Sequence, residues 1–397
     1  MSRTTRRLLV LTVTAALAVP TSAYAAAGER ADRDRADRRA VSVTFEGRGY
    51  GHGRGMSQWG AHDAAEQGRG WKQILRFYYP RTKIARKGGL IRVEITGDTS
   101  RRNTIVLDRP GLKVKALKSG RTWKPRKTAG RWRISAAAGG KSVVSYHQGR
   151  KWHRWKRITG DAEFSAGRKP LTLLKPGGRT AYRGKLRNTA VGGHRATVNV
   201  LPLDHYLKGV VPQEVPASWP RHAVRAQAVA ARTYAAFQRA DRGTICDTTS
   251  CQVYGGYSAE HPDANAAIKA TARRVLTFRG ALAFTEFSAS NGGWTTQGEV
   301  HGQTVPYLPA KQDPYDHSYR GWKATFTGNE ITRHWNGLGT LQSIQVLSRN
   351  GHGAWNGRVE RLRVTGSSGS VDVDGDDFML YVGLMSRWFK NPVVSGS

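Results

Sequence analysis

The sequence predicts an α+β chain in which a run of short strands is inserted among helical segments. Three observations lead there. Between Gly89 and Val200 apolar residues alternate in short runs separated by Gly-rich or basic turns. One long Ala-rich helical pattern follows at residues 217–243, and two short helical patterns follow a glycine-rich loop near residue 50.

The elements are justified in chain order. Residues 1–25 read as a cleavable secretory leader: Arg3, Arg6 and Arg7 form a basic start, Leu8 to Val19 an apolar run, and Ala23-Tyr24-Ala25 a small-residue cleavage site. The run of about a dozen residues is short for a hydrocarbon layer of roughly 30 Å, so cleavage is favoured over a retained anchor. No later stretch reaches spanning length, and the mature chain is expected outside the cytoplasm, secreted or wall-associated. Residues 26–40 are charged without apolar period and read as a disordered linker.

Order is expected from Val41. VSVTF alternates as a strand and leads into five glycines within nine residues, Gly47 to Gly55, a tight loop that brings backbone close to a neighbour. A helix is expected from Ser57 to about Gly68. WKQILRFYYP then predicts a short amphipathic helix with Ile74, Leu75 and Tyr78 inward and Pro80 as its stop. Residues 41–88 thus form one segment and residues 89–200 a β-rich region. In the latter IRVEIT, TIVLD, LKVKAL, RWRISA, SVVSYH, PLTLL and ATVNVL are the clearest strands. Residues 201–397 return to mixed structure. There Ser218 is expected to cap the long helix, Pro220 to occupy its first turn and Gly243 to follow its end. A shorter helix is expected from Pro262 to Arg274.

Charge narrows the partners. The chain carries 64 Lys and Arg against 28 Asp and Glu, a formal charge of +36, or +33 without the leader arginines. Such a chain seeks polyanions. Export directs that expectation away from nucleic acid and towards anionic wall polymers, although a general arginine bias contributes. Cys246 and Cys251 are the two cysteines. In an oxidising compartment they favour one short-loop disulfide. The rival is a zinc site with His222 and His261, whose spacing matches no known ligand pattern.

Several residues could carry chemistry. Glu214 stands between Pro212 and Pro216 among Val210, Val211 and Val215, a stiff apolar setting that would raise its pKa towards that of a general acid. On composition alone, a carboxylate stabilised at a helix N-terminus is the stronger reading. Arg232 would orient Glu214 or hold a substrate oxygen if its helix face meets that loop, and otherwise is one more surface arginine. GHGRGMSQWG sets His52, Ser57 and Gln58 on a glycine scaffold that is neither a P-loop nor a dinucleotide fingerprint. SASNGGWTTQ, with Ser288, Ser290 and Trp294, has the same character of polar groups on tight backbone that line a groove.

Together LDHYLKGVVPQEVPASW, AVRAQAVAARTYA, DTTSCQVYGG, FSASNGGWTTQ, PYLPAKQDPYD and GYGHGRGMSQWGA resemble the SpoIID/LytB family of bacterial cell-wall proteins. The family is named for stage II sporulation protein D and an amidase-modifier protein. The resemblance implies a SpoIID-type mixed domain with a β-rich insertion or subdomain, its catalytic core in residues 201–397 and residues 41–88 belonging to the same domain. It implies a peptidoglycan lytic transglycosylase that cuts MurNAc-GlcNAc bonds to 1,6-anhydro products without a cofactor. Glu214 would be its acid/base and Arg232 its companion. His52, Ser57, Gln58, Gln227, Ser290 and Tyr307 would contact the glycan. The modifier side of the family suggests the alternative of a non-catalytic peptidoglycan-binding amidase modifier, and the charge suggests that of a teichoic-acid-binding protein. Some family members carry zinc near the loop that here holds Cys246 and Cys251, but the local histidines do not reproduce that shell and no metal is expected. In the family GHGxGMSQ lies at the carboxyl end, whereas here it comes first, as in a circular permutation. That order requires the chain near Val41 and near Phe389 to be neighbours and His52 to face the Glu214 cleft.

Overall fold

The computed structural model describes residues 41–100, 102–125 and 129–396. The leader and linker expected in residues 1–40 lie outside the described residues. Among those described, no helix is long and apolar enough to cross a membrane. The fold is mixed α+β, as the alternation and helix patterns predict.

The β-rich stretch builds two antiparallel-dominated sheets packed face to face. One holds six strands, in the order Lys151–Thr159, Lys141–Gln148, Arg131–Ala137, Asn103–Leu107, Leu171–Lys175 and Gly178–Tyr182. The other holds seven, with His194–Pro202 and Lys185–Val191 near its centre and the short strand Ile245–Cys246 parallel at one edge. The alternation seen in the sequence is the physical cause. Val106, Trp132, Ile134 and Val144 point from the first sheet into one apolar core with Val93, Val114, Phe164 and Leu186 of the second. All seven expected strands are present. Lys151–Thr159 is an additional one, because its KWHRWKRIT carries too many charges to read as a half-buried strand.

The long helix Arg221–Arg242 packs its small-residue face into both this core and a second one. Val224, Ala228 and Ala231 join the first. Ala226, Val229 and Ala230 meet Met56, Ile74, Leu75 and Tyr78 in the second. Met56 comes from the two-residue strand Met56–Ser57 that leads into the helix Gln58–Glu66, and the other three from the helix Trp71–Tyr78, which buries Ile74, Leu75 and Tyr78 as their period predicts. Two helix ends differ from expectation. Pro220, not Ser218, is the cap residue of the long helix, and no side chain caps it. The helix from Pro262 stops at Ala270, since Arg274 already begins the strand Arg274–Phe278.

A third core gathers both ends of the described chain. The strand Ser42–Gly47 lies between Trp322–Thr327 and Val393–Ser395. Phe45 packs against Phe389 with ring centroids 5.3 Å apart. The expected proximity of these two points is therefore a feature of the fold.

Candidate functional site

Glu214 is the last residue of a one-turn helix, Val211–Glu214, with Pro212 in its first turn. Val210, Val211 and Val215 are buried and fix this turn in the first core. The Glu214 side chain is thereby presented to a recess of about 310 Å³ that it lines with His52, Arg54, Tyr234, Glu286, Phe287 and the loop Thr249–Val253. Desolvation raises the Glu214 carboxyl to about 7, against the opposing pull of the Val253 backbone N–H and the Gln58 side-chain amide. The reading of Glu214 as a helix N-terminal carboxylate is therefore replaced, because its turn ends at Glu214 and the long helix begins only at Arg221.

The glycine loop delivers His52 to the same recess. Gly53 and Gly55 take φ of +73° and +66°, and a Cβ on Gly55 would stand 2.0 Å from the Glu286 carbonyl oxygen. Backbone approach this close needs glycine. The Arg54 backbone N–H donates to His52 Nδ1 at 2.9 Å, so the neutral ring carries its proton on Nε2. Burial first, then the charges of Arg54 and Arg358, hold the His52 pKa well below its usual value. At neutral pH His52 is an uncharged hydrogen-bond donor.

The wall opposite is the cysteine loop. Cys246 and Cys251 form a disulfide with Cα atoms 5.5 Å apart. Both sulfurs are thus committed, and among the described residues no three His, Cys, Asp or Glu gather into a metal shell. Gln252 pins the loop, donating from Nε2 to the Ala231 carbonyl at 3.3 Å and accepting from Tyr206 Oη at 3.2 Å.

The structure brings His52 and Gln58 to Glu214, and none of the other expected glycan contacts, nor Arg232, lines the recess. Ser57 caps the helix Gln58–Glu66, accepting from the Gly60 N–H at 3.0 Å and donating to Asp316 at 2.7 Å. Ser290 donates to the same carboxylate at 2.8 Å. Both are buried, so neither hydroxyl reaches solvent. Tyr307 is buried in the second core, where its hydroxyl accepts from the Phe284 N–H at 3.1 Å. Gln227 is buried with both amide atoms unpartnered, two helical turns before Tyr234 on the same side of the long helix. Trp294 stacks on His352 rather than on the recess.

Arg232 is the largest departure. It is 0% exposed and donates through Nε to Asp204 at 2.7 Å. Its remaining nitrogens donate to the carbonyls of Ala228, Ile268 and Arg274 and to Thr271 Oγ1. Arg232 ties together three elements and makes no contact with Glu214; it is neither a surface arginine nor a group poised over substrate.

Sequence reasoning missed Arg54 and Glu286. Arg54 Nε donates to Glu286 at 2.9 Å, and this pair stands between the recess and a larger polar cavity of about 590 Å³. Burial raises the Glu286 pKa while Arg54 opposes it. The signal was in view, since Glu286 directly precedes FSASNGGWTTQ and Arg54 sits inside the glycine loop. Asp313 and Asp316 were also unremarked. Asp313 accepts from Tyr78 Oη and Asn291 Nδ2, each at 2.7 Å, and with Asp316 it holds the two polar loops in register.

Residues 192–278, which contain Glu214, Arg232 and both cysteines, match the family described as Stage II sporulation protein, SpoIID. An amidase enhancer of Bacillus subtilis is 44% identical over 126 residues, covering 32% of this chain and 17% of that protein. Stage II sporulation protein D of Bacillus subtilis is 27% identical over 182 residues, covering 40% of this chain and 53% of its own length. The chain thus spans about a sixth and about half of these relatives.

Proposed function

We propose, from the premise that the chain carries a SpoIID-family domain, that it is an exported peptidoglycan lytic transglycosylase with Glu214 as its one acid/base. The observation that carries this reading is the Glu214 carboxyl, raised to about 7 in a recess shared with a neutral His52. A carboxyl with that pKa is protonated in a substantial fraction of molecules near neutrality and can donate. Glu214 gives its proton to the glycosidic oxygen as the bond from that oxygen to C1 of MurNAc breaks. The C6 hydroxyl of the same sugar attacks C1, and its proton passes to the Glu214 carboxylate. The acid is regenerated, no water is consumed, and the product carries a 1,6-anhydro end. Hydrolases that use water require a second carboxylate as base or nucleophile. Glu286 is the only other carboxylate on the recess among the described residues, and Arg54 neutralises it. In this reading His52 and the Gln58 amide donate to sugar oxygens as charge develops, giving up their bonds to the Phe287 carbonyl and the Glu214 carboxylate.

Digestion of peptide-stripped glycan strands by wild type and Glu214→Gln tests this. Anhydro-ended fragments from wild type alone are expected. No fragments from either protein, or reducing-end fragments from wild type, would overturn it. A second reading has its own support in the 44% identity to an amidase enhancer: the recess binds glycan without cutting it and promotes an amidase. That reading gains if Glu214→Gln binds glycan as wild type does and raises amidase turnover equally.

A further inference from the structure

The charge of this chain is concentrated rather than spread. Residues 89–200 hold 27 Lys and Arg against five Asp and Glu, so they carry +22 of the total +36. All five acids are engaged by neighbours. Glu94 pairs with His194, Asp98 accepts from Thr197, Asp108 from Trp132 Nε1, Asp161 from Arg195, and Glu163 from Arg187 and Lys185.

The outer face of the six-stranded sheet collects cations that lack such partners. In antiparallel register Arg133 faces Ser145 and Ser145 faces Arg154, while Arg131 faces His147 and His147 faces Trp152. Arg157 continues this face along the edge strand Lys151–Thr159, and it and Arg154 are exposed. Arg131, Arg133, Arg154 and Arg157 have no carboxylate partner among the described residues. Trp152 aligns two of them without neutralising their charge, with the Arg133 guanidinium 4.2 Å and that of Arg131 5.5 Å from its ring centroid. Arg133 Nε is buried without a hydrogen-bond partner. The opposite faces of these strands are filled by Trp132, Ile134, Val144 and Tyr146 of the core, so this side is the one turned to solvent.

We propose that this sheet face is a docking surface for a linear phosphodiester polymer of polyol type, independent of the Glu214 recess. Same-face residues along a strand repeat at roughly 6.6–6.8 Å, and residues two strands apart are separated by about 10 Å. Four guanidiniums on that lattice meet successive phosphates of an extended chain, each able to bond two oxygens. Charge complementarity selects a polyanion. Guanidiniums lie against Trp152, which leaves it a poor platform for a stacked base, and this favours a polymer without bases over nucleic acid.

The test measures binding of end-labelled, lipid-free poly(glycerol phosphate) to three proteins: wild type, Arg131→Gln/Arg133→Gln/Arg154→Gln/Arg157→Gln, and a charge-matched control, Lys83→Gln/Arg86→Gln/Lys87→Gln/Lys323→Gln. Circular dichroism checks that all three are folded. The face variant is expected to bind on the order of 100-fold more weakly, with a shallower dependence on salt, while the control stays near wild type. Glycan digestion should be unchanged in both, which separates this surface from the recess. Equal weakening of the two variants would mean that the whole chain's charge does the binding, and would overturn the proposal. Single-stranded DNA of matched length binding as tightly as the polymer, and lost in the face variant, would also overturn it and make the face a nucleic-acid surface.

Discussion

Replacing Glu214 by Gln should remove activity and strengthen the fold together, and pH separates the two effects. The native carboxyl sits at about 7 against an ordinary 4.5, chiefly because burial penalises its charge. Between those values the native state binds a proton that the unfolded chain has released, so wild-type stability falls as pH rises from about 4.5 through 7. At 1.36 kcal/mol per pH unit, the difference amounts to about 3 kcal/mol. Glu214→Gln keeps the shape and carries no charge to desolvate. Urea unfolding of both proteins at pH 4.5 and pH 8 should show little difference at the lower pH and an advantage of about 3 kcal/mol to the variant at the higher. The same variant should lose at least about 10²-fold in glycan cleavage, the usual scale for a lost general acid. A stability gap that does not change with pH would refute the account of Glu214 as a desolvated acid.

Wild-type kcat/KM should fall about tenfold per pH unit above 7 as Glu214 ionises, read from initial rates between pH 5 and 9. The His52 ring should titrate well below 6.5 by proton NMR and leave no limb in that profile near 6.5. Arg232→Met should cost roughly 3–5 kcal/mol in urea unfolding by removing the buried guanidinium that bonds Asp204 and three carbonyls, with activity per folded molecule nearly unchanged. Glu286→Gln should leave anhydro ends as the product by mass spectrometry, whereas a water-using pair of carboxylates would be abolished. Reduction of Cys246–Cys251 should cost about 2 kcal/mol and raise KM, since the loop Thr249–Val253 lines the recess.

Local patterns were legible where one face decided the outcome. The alternation in RWRISA and SVVSYH and the spacing of Ile74, Leu75 and Tyr78 each follow from a single buried side. Lys151–Thr159 escaped because a sheet edge tolerates charge that a half-buried strand does not. At the site, Glu214 could be read from its prolines and valines, and Gln58 and His52 from their glycines. Arg232 could not be placed, because sequence does not reveal which carbonyls a helix residue will meet. Ser57 and Ser290 read as glycan contacts, yet Asp316, more than twenty residues from either, claims both hydroxyls. Glu286 was hidden for the same reason: its importance comes from Arg54, 232 positions away.

The pairing of the strands Ser42–Gly47 and Val393–Ser395 has a mechanical consequence. Ser42 and Ser395 lie opposite each other in antiparallel register, their hydroxyls 2.9 Å apart. Tension applied through these two residues pulls across the strands, so the bonds give way singly, as in a zip, rather than together as under shear. Once Ser42–Gly47 peels, the strain passes to the Arg48 N–H on the Trp388 carbonyl and the Tyr50 N–H on the Ser290 carbonyl. His52 is two residues further. A pull through Ser42 and Ser395 would therefore be felt at the glycine loop before it reached the turn that carries Glu214.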